Sequence, residues 1–183
     1  MLDVIYKAAA NKALPAGKSI ARVMLEEFGR RRAGAKRSDT RLAELLEKPI
    51  LYLLRKGASG KGGDPKVVAR ELVRAAKVRA LATAASVNDT SATMISNETD
   101  PYTTARTVSI GITEANWAIH EGEGIAFKAS GKKTWTWQCT GKCCKNCRSL
   151  AGKKVVIGKD FVAANGTRVQ HPPLHPNCNC VVK

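Results

Sequence analysis

Aromatic side chains are scarce: three Trp, three Tyr and three Phe make up 5% of 183 residues. That argues against an aromatic-cored β-sandwich and for an Ala-, Leu- and Val-rich helical protein. No apolar run approaches the roughly 18–20 residues that a bilayer-spanning helix needs. The opening stretch, MLDVIYKAAANKALPAGKS, has a weak apolar core and no signal-peptide layout, so synthesis in the cytoplasm is expected. Carboxylates are few, 15 against 31 Lys and Arg. No internal repeat is visible. Cysteine is missing until position 139, and all six cysteines then fall between 139 and 180.

Hydrophobic residues make up 44%, enough for a core and too many for wholesale disorder. The length fits one ordinary domain, or a helical region with a small appendage. The net charge of +16 is unevenly spread. Residues 1–80 carry 19 basic and 8 acidic side chains, residues 81–131 carry 2 and 6, and residues 132–183 carry 10 and 1. Two basic blocks around an acidic stretch suit contact with a polyanion, most simply nucleic-acid phosphate, though a solvated basic surface reads the same way. No stretch resembles a base-reading module, so sequence-specific recognition is not expected.

Helix signals fill the first two thirds. In KSIARVMLEEFGRRR, Ile20, Val23, Met24 and Phe28 recur at helical spacing, with Gly34 beyond the end. Ser38 is placed as the N-cap of a second helix carrying Leu42, Leu45, Leu46, Ile50, Leu53 and Leu54. Pro49 lacks an amide hydrogen and clashes with the preceding turn, which predicts a kink or break there. KGASGKGGDP at 56–65 reads as an exposed loop, after which Asp64 caps and Pro65 opens a third helix running to about Ser86. Its expected apolar face is Val68, Leu72, Ala75, Ala76, Val78 and Leu81. The following SVNDTSATMISNETD reads as turn-like. Asp100-Pro101 then predicts the start of a long helix ending at Gly131, with Val108, Ile112, Ala115, Ile119 and Ala126 on one side. Gly111, Gly122 and Gly124 in that helix imply close packing or a bend. Beyond Gly131 the period changes to two: KTWTWQC puts Trp135 and Trp137 on one face, and KKVVIG and TRVQ are further short strand candidates.

Cys144-x2-Cys147 has the spacing of a metal knuckle, in which the backbone folds back so that two thiolates reach one Zn²⁺ at about 2.3 Å. His175, Cys178 and Cys180 are the candidates for the remaining ligands. Pro172, Pro173 and Pro176 restrict the backbone around His175, which lowers the entropy lost on ordering it. Residues 148–174 are long enough for a hairpin or loop that joins the two halves. Two or three disulfides, or free thiols, are the alternatives; a reducing compartment favours metal. Cys139 and Cys143 are surplus to one four-ligand site, and the adjacent Cys143 and Cys144 are sterically poor partners on one ion. Trp135 and Trp137 are expected to pack the small module. A Cys-rich set favours a closed structural site, whereas a catalytic zinc keeps a position open. His171 and His175 have no carboxylate near them in sequence, which counts against a metal-dependent nuclease. Glu114, after Thr113, reads as a structural or interfacial acid, with His120 on a different face.

The C-terminal third resembles the Mu F-like head morphogenesis family of tailed phages, which are minor capsid proteins. The resemblance rests on Trp137, Cys144-x2-Cys147, Leu150, Gly152-Lys153, Phe161, Gly166 and the closing Pro172-Pro173-Leu174-His175-Pro176-Asn177-Cys178-Asn179-Cys180. Thr113, Glu114 and Ala118 fit the family's preceding helix. It covers roughly residues 100–183; residues 1–99 match no family pattern. Lys145 stands where a proline is common and Asn179 where an arginine is common; neither is a metal ligand. Cys139 and Cys143 lie outside the family pattern.

The expected architecture is therefore mainly α with a small C-terminal α+β zinc-stapled module: a basic helical region over 1–99, then a long helix and short β-hairpins over 100–183. The resemblance implies a non-enzymatic structural protein of the capsid interior, present in multiple copies. It would contact the portal protein and the major capsid protein, and packaged DNA without sequence preference, but no membrane. It also implies that some family members travel with the DNA and that many carry C-terminal toxin domains; with three residues after Cys180, none is expected here. One structural zinc per chain is expected on Cys144, Cys147, His175, Cys178 and Cys180, with Trp137, Pro173, Pro176, Thr113 and Glu114 in supporting roles. The competing readings are a regulatory DNA-binding zinc module and a metal-dependent nuclease.

Overall fold

The computed structural model describes residues 14–36, 38–101, 103–141, 143–176 and 178–183. Residues 1–13, and with them most of the opening stretch read as lacking a signal-peptide layout, lie outside the described residues, as do Tyr102 and Asn177. Among the described residues the fold is mainly helical, with short antiparallel strands in the C-terminal region. The elements are α1 (Leu14–Arg32), α2 (Asp39–Ala58), α3 (Pro65–Ser96), α4 (Thr104–Ala129), β1 (Thr134–Gln138), α5 (Lys145–Arg148), β2 (Lys154–Val156), β3 (Phe161–Val162), β4 (Arg168–Val169) and β5 (Val181–Val182). Two compact units are present, each built from two stretches of chain. One comprises residues up to Ile50 with Ala75–Ala115, and the other Leu51–Arg74 with Asn116–Lys183. The boundary expected at 99/100 falls between α3 and α4, inside the first unit.

In the first unit, Ile20, Met24 and Phe28 of α1 recur every four residues and are almost fully buried. Leu42, Leu46 and Ile50 of α2 are likewise inaccessible. Ser38 caps α2 as expected, its Oγ accepting from the Arg41 amide at 3.1 Å. Pro49 does not end α2, which continues to Ala58. The interior proline costs about 3 kcal/mol or more. Leu46, Ile50, Leu53 and Leu54 around it are all at 0% exposure, and each such side chain returns about 1.5–3 kcal/mol on burial.

Helix α3 opens as its sequence predicts, with Asp64 Oδ1 accepting from the Lys66 amide at 2.8 Å. It then runs ten residues past the expected end at Ser86. The polar stretch stays helical because its side chains find partners: Ser91 Oγ donates to the Val87 carbonyl at 2.7 Å, and Asn88 Nδ2 donates to Asp39. Arg106 of α4 adds bonds to Ser91 Oγ at 2.9 Å and to the Val87 carbonyl at 3.2 Å. The helix ends in a Schellman turn, with Thr99 N bonding Met94 O at 2.8 Å and Glu98 at φ 57°. The buried face also differs from expectation. Leu72, Ala76, Ala80, Ala84 and Val87 point inward, whereas Val78 and Leu81 are 63% and 55% exposed. Small alanines fit a close helix contact better than the bulkier residues beside them, so size decided the face.

Helix α4 begins at Thr104 rather than at Asp100-Pro101, because Thr103 supplies the cap. Its Oγ1 accepts from the Arg106 amide at 3.2 Å. The Pro101 carbonyl is instead taken by Arg106 Nη1 at 2.7 Å. The helix stops at Ala129, and Gly131, at φ 84°, takes the left-handed conformation that closes its end.

In the second unit the glycines of α2 and α4 mark a close approach. A Cβ on Gly57 would lie 2.0 Å from the Ile119 carbonyl oxygen, and one on Gly122 would lie 2.1 Å from that of Leu54. Strand β1 is the centre of a three-stranded antiparallel sheet ordered β2-β1-β5, with Trp135 opposite Val155 and Trp137 opposite Val182. β3 and β4 form a separate hairpin with Phe161 opposite Val169. Trp135 and Trp137 both face inward, and the edge of one ring meets the other where Trp137 packs on Phe161 at 5.2 Å. Leu150, Ile157, Ala163 and Val182 complete an apolar core that also contains Cys147, Cys178 and Cys180. Strands β3 and β5 were not expected; two residues each carry no periodic signal.

Candidate metal centre

Cys139 follows β1, Cys143 and Cys144 precede α5, and Cys178 and Cys180 lead into β5, so three segments bring sulfur to one end of the sheet. The α5 turn is a knuckle. Cys144 is its N-cap in extended conformation (φ −66°, ψ 166°), and its sulfur accepts from the Cys147 amide at 3.4 Å. One turn of helix thereby brings the two sulfurs to one side.

His175 closes onto that knuckle. Its Nε2 lies 3.2 Å from the sulfur of Cys144 and 3.2 Å from that of Cys147. Its Nδ1 sits 2.8 Å from the Pro176 carbonyl, an atom that can only accept. Nδ1 therefore carries the proton in that contact, and Nε2 is the ring atom that faces the two sulfurs. Pro176 thus orients the ligand through its carbonyl as well as its ring. Cys178 Sγ is 3.7 Å from Cys147 Sγ. The Cys178 carbonyl is held by Asn116 Nδ2 of α4 at 3.1 Å, and Thr140 Oγ1 donates to the Asn179 carbonyl.

Thiolates about 2.3 Å from a tetrahedral ion sit about 3.8 Å from one another. The 3.7 Å between Cys147 and Cys178 matches that edge. The described residues form three overlapping donor groups: Cys144, Cys147 and His175; Cys147, Cys178 and Cys180; and Cys139, Cys143 and Cys180. These clusters can hold a metal ion, and sulfur with imidazole suits a thiophilic dication. All six cysteines are free thiols.

The electrostatics separate the exposed thiol from the buried ones. The Cys147 amide lowers the Cys144 thiol to about 7, with the neighbouring Cys147 and His175 side chains acting the same way. Burial pushes Cys147 up, and the adjoining Cys178 adds to the effect. Burial and Cys178 likewise raise Cys180, while the Trp137 indole opposes them. Burial also raises Cys139. A cation removes this mutual penalty by fixing the sulfurs as thiolates.

The expected ligands divide between two overlapping donor groups that share Cys147: Cys144, Cys147 and His175 in one, and Cys147, Cys178 and Cys180 in the other. Trp137 lies beneath them, fully buried, Pro173 is buried and Pro176 is half-buried. Thr113 and Glu114 belong to the first unit. Thr113 Oγ1 donates to the Ser109 carbonyl at 2.8 Å, and Glu114 takes a forked pair from Arg79 at 2.7 and 2.8 Å plus Thr83 Oγ1 at 2.8 Å. His171 does not join His175. It is buried among Trp117, His120 and Trp135, with Nε2 2.9 Å from Glu121 Oε2. A carboxylate distant in sequence is therefore its neighbour in space. The residues set aside as surplus, Cys139 and Cys143, are part of the sulfur cluster; their pairing with Cys180 had no signal beyond the cysteine count itself. Among the described residues, no helix is long and apolar enough to cross a membrane.

Comparison of the chain with protein-family models, curated proteins and solved structures gives no match.

Proposed function

We propose that the protein is a structural, non-enzymatic component of a tailed-phage head, with its C-terminal module stapled by zinc on Cys144, Cys147, His175 and Cys178. The supporting observation is that His175 closes on the Cys144–Cys147 knuckle at 3.2 Å, with Cys178 adjoining Cys147 at 3.7 Å. These are the residues that carry the resemblance to the Mu F-like family. Four protein donors leave no position for a substrate or an activated water, which favours a structural over a catalytic ion. When bound, zinc supplies fixed positive charge and a cross-link. The chain supplies the tautomer of His175, the turn of α5 and a tryptophan floor. The staple compensates for a small core, since the strands here are two to five residues long.

In this reading the basic surface, net +16 for the chain, lies against packaged DNA or an acidic portal or capsid surface. Mass spectrometry of purified particles, with copy number measured against the portal protein, tests it. Several copies per particle are expected. Absence from particles together with metal-dependent nicking of plasmid DNA would overturn it in favour of a nuclease.

A further inference from the structure

Three sulfurs remain outside the zinc staple and are not stray. Cys139, Cys143 and Cys180 form a second donor group whose sulfurs all lie within 4.8 Å of one another. Cys143 Sγ is 3.7 Å from Cys180 Sγ, and Cys180 Sγ is 3.9 Å from Cys139 Sγ. Both separations fall at the edge length of about 3.8 Å for thiolates around one tetrahedral ion. The backbone explains why two groups form. Cys144, directly after Cys143, has an extended backbone, which turns neighbouring side chains to opposite sides, and one sulfur enters each group. Cys178 and Cys180 are two apart and both buried, with the exposed Asn179 between them.

The third group, Cys147, Cys178 and Cys180, joins the other two. Cys178 is its one member that belongs to neither outer group. Two four-coordinate ions need eight donor positions, and six cysteines with His175 provide seven residues. One shared sulfur makes up the difference, and Cys178 stands between the groups.

We propose that the C-terminal unit holds a second divalent metal ion on Cys139, Cys143 and Cys180, with the Cys178 thiolate bridging it to the first. The inference builds on the zinc staple proposed above and extends it from one ion to a two-metal, seven-ligand cluster. The first ion has three sulfurs and one nitrogen; the second has four sulfurs.

Native mass spectrometry and elemental analysis of the full chain, purified under reducing conditions from zinc-supplemented cells, are expected to give two Zn²⁺ per chain. The Cys139→Ser, Cys143→Ser double variant is expected to keep one. Should that variant fail to fold, the wild-type protein loaded with ¹¹³Cd²⁺ provides the second measurement. Two ¹¹³Cd resonances are expected, the all-sulfur site further downfield, each split by the other through the shared sulfur. One ion per wild-type chain overturns the second site and leaves the staple standing, whereas none overturns both. A disulfide among Cys139, Cys143 and Cys180 in freshly isolated protein also overturns the second site. Two resonances without mutual splitting overturn the bridge.

Discussion

Cys143 and Cys144 are adjacent in the chain, yet their sulfurs enter different donor groups: that of Cys143 lies 3.7 Å from Cys180, and that of Cys144 lies 3.2 Å from His175 Nε2. The extended backbone at Cys144 divides them. The sulfur cluster therefore ties β1, the α5 turn and the β5 approach together through residues that local packing alone would leave as separate loops.

Cys147→Ser should unfold the C-terminal module. Cys147 is 2% exposed and belongs to two of the three donor groups, so its loss removes metal and leaves a hydroxyl in a sulfur-lined core. Limited proteolysis should cut within residues 132–183, and tryptophan emission should shift to the red as Trp135 and Trp137 gain water. The helical circular dichroism should change little, because this stretch contributes one four-residue helix among its described residues. A protease-resistant variant with unshifted emission would count against a structural metal.

Glu114→Gln should destabilise the first unit without changing metal content. The carboxylate is 9% exposed and accepts two bonds from Arg79 and one from Thr83. Removing one partner of a buried pair costs about 3–5 kcal/mol, and the low end applies because Arg79 keeps 26% of its side chain in water. Urea unfolding measures the loss. Unchanged stability would count against a structural role for the Glu114–Arg79 pair.

Two glycine-to-alanine changes should act in opposite directions. Gly122→Ala drives a methyl to 2.1 Å from a backbone carbonyl that cannot turn aside, and should cost about 1–3 kcal/mol or more. Gly29→Ala, in α1 with nothing within 4 Å of the new carbon, should gain up to about 1 kcal/mol from helix propensity. Thermal unfolding of both variants compares the two.

DNA binding, if the basic blocks reach phosphate, should be non-specific and steeply salt-dependent. Six phosphate contacts correspond to a loss of about a thousandfold in affinity between 50 and 200 mM salt. Fluorescence anisotropy with duplexes of unrelated sequence measures this. No binding even at low salt would assign the basic surface to a protein partner.

The amino-acid sequence by itself determined the helical class, the caps at Ser38 and Asp64, the inward pair Trp135 and Trp137, and the knuckle at Cys144 and Cys147. Each depends on residues within one turn or one strand of each other, where spacing fixes geometry. Tertiary structure decided what depends on distant partners. Pro49 stays inside α2 because Leu46, Ile50, Leu53 and Leu54 are buried around it. The polar end of α3 stays helical because Asp39 and Arg106 meet it, and its alanine face wins over Val78 and Leu81 because close helices select small side chains. The extra sulfurs follow the same logic: Cys139 and Cys143 have no local motif, and only the folding of β5 against β1 carries Cys180 to within 3.7 and 3.9 Å of them.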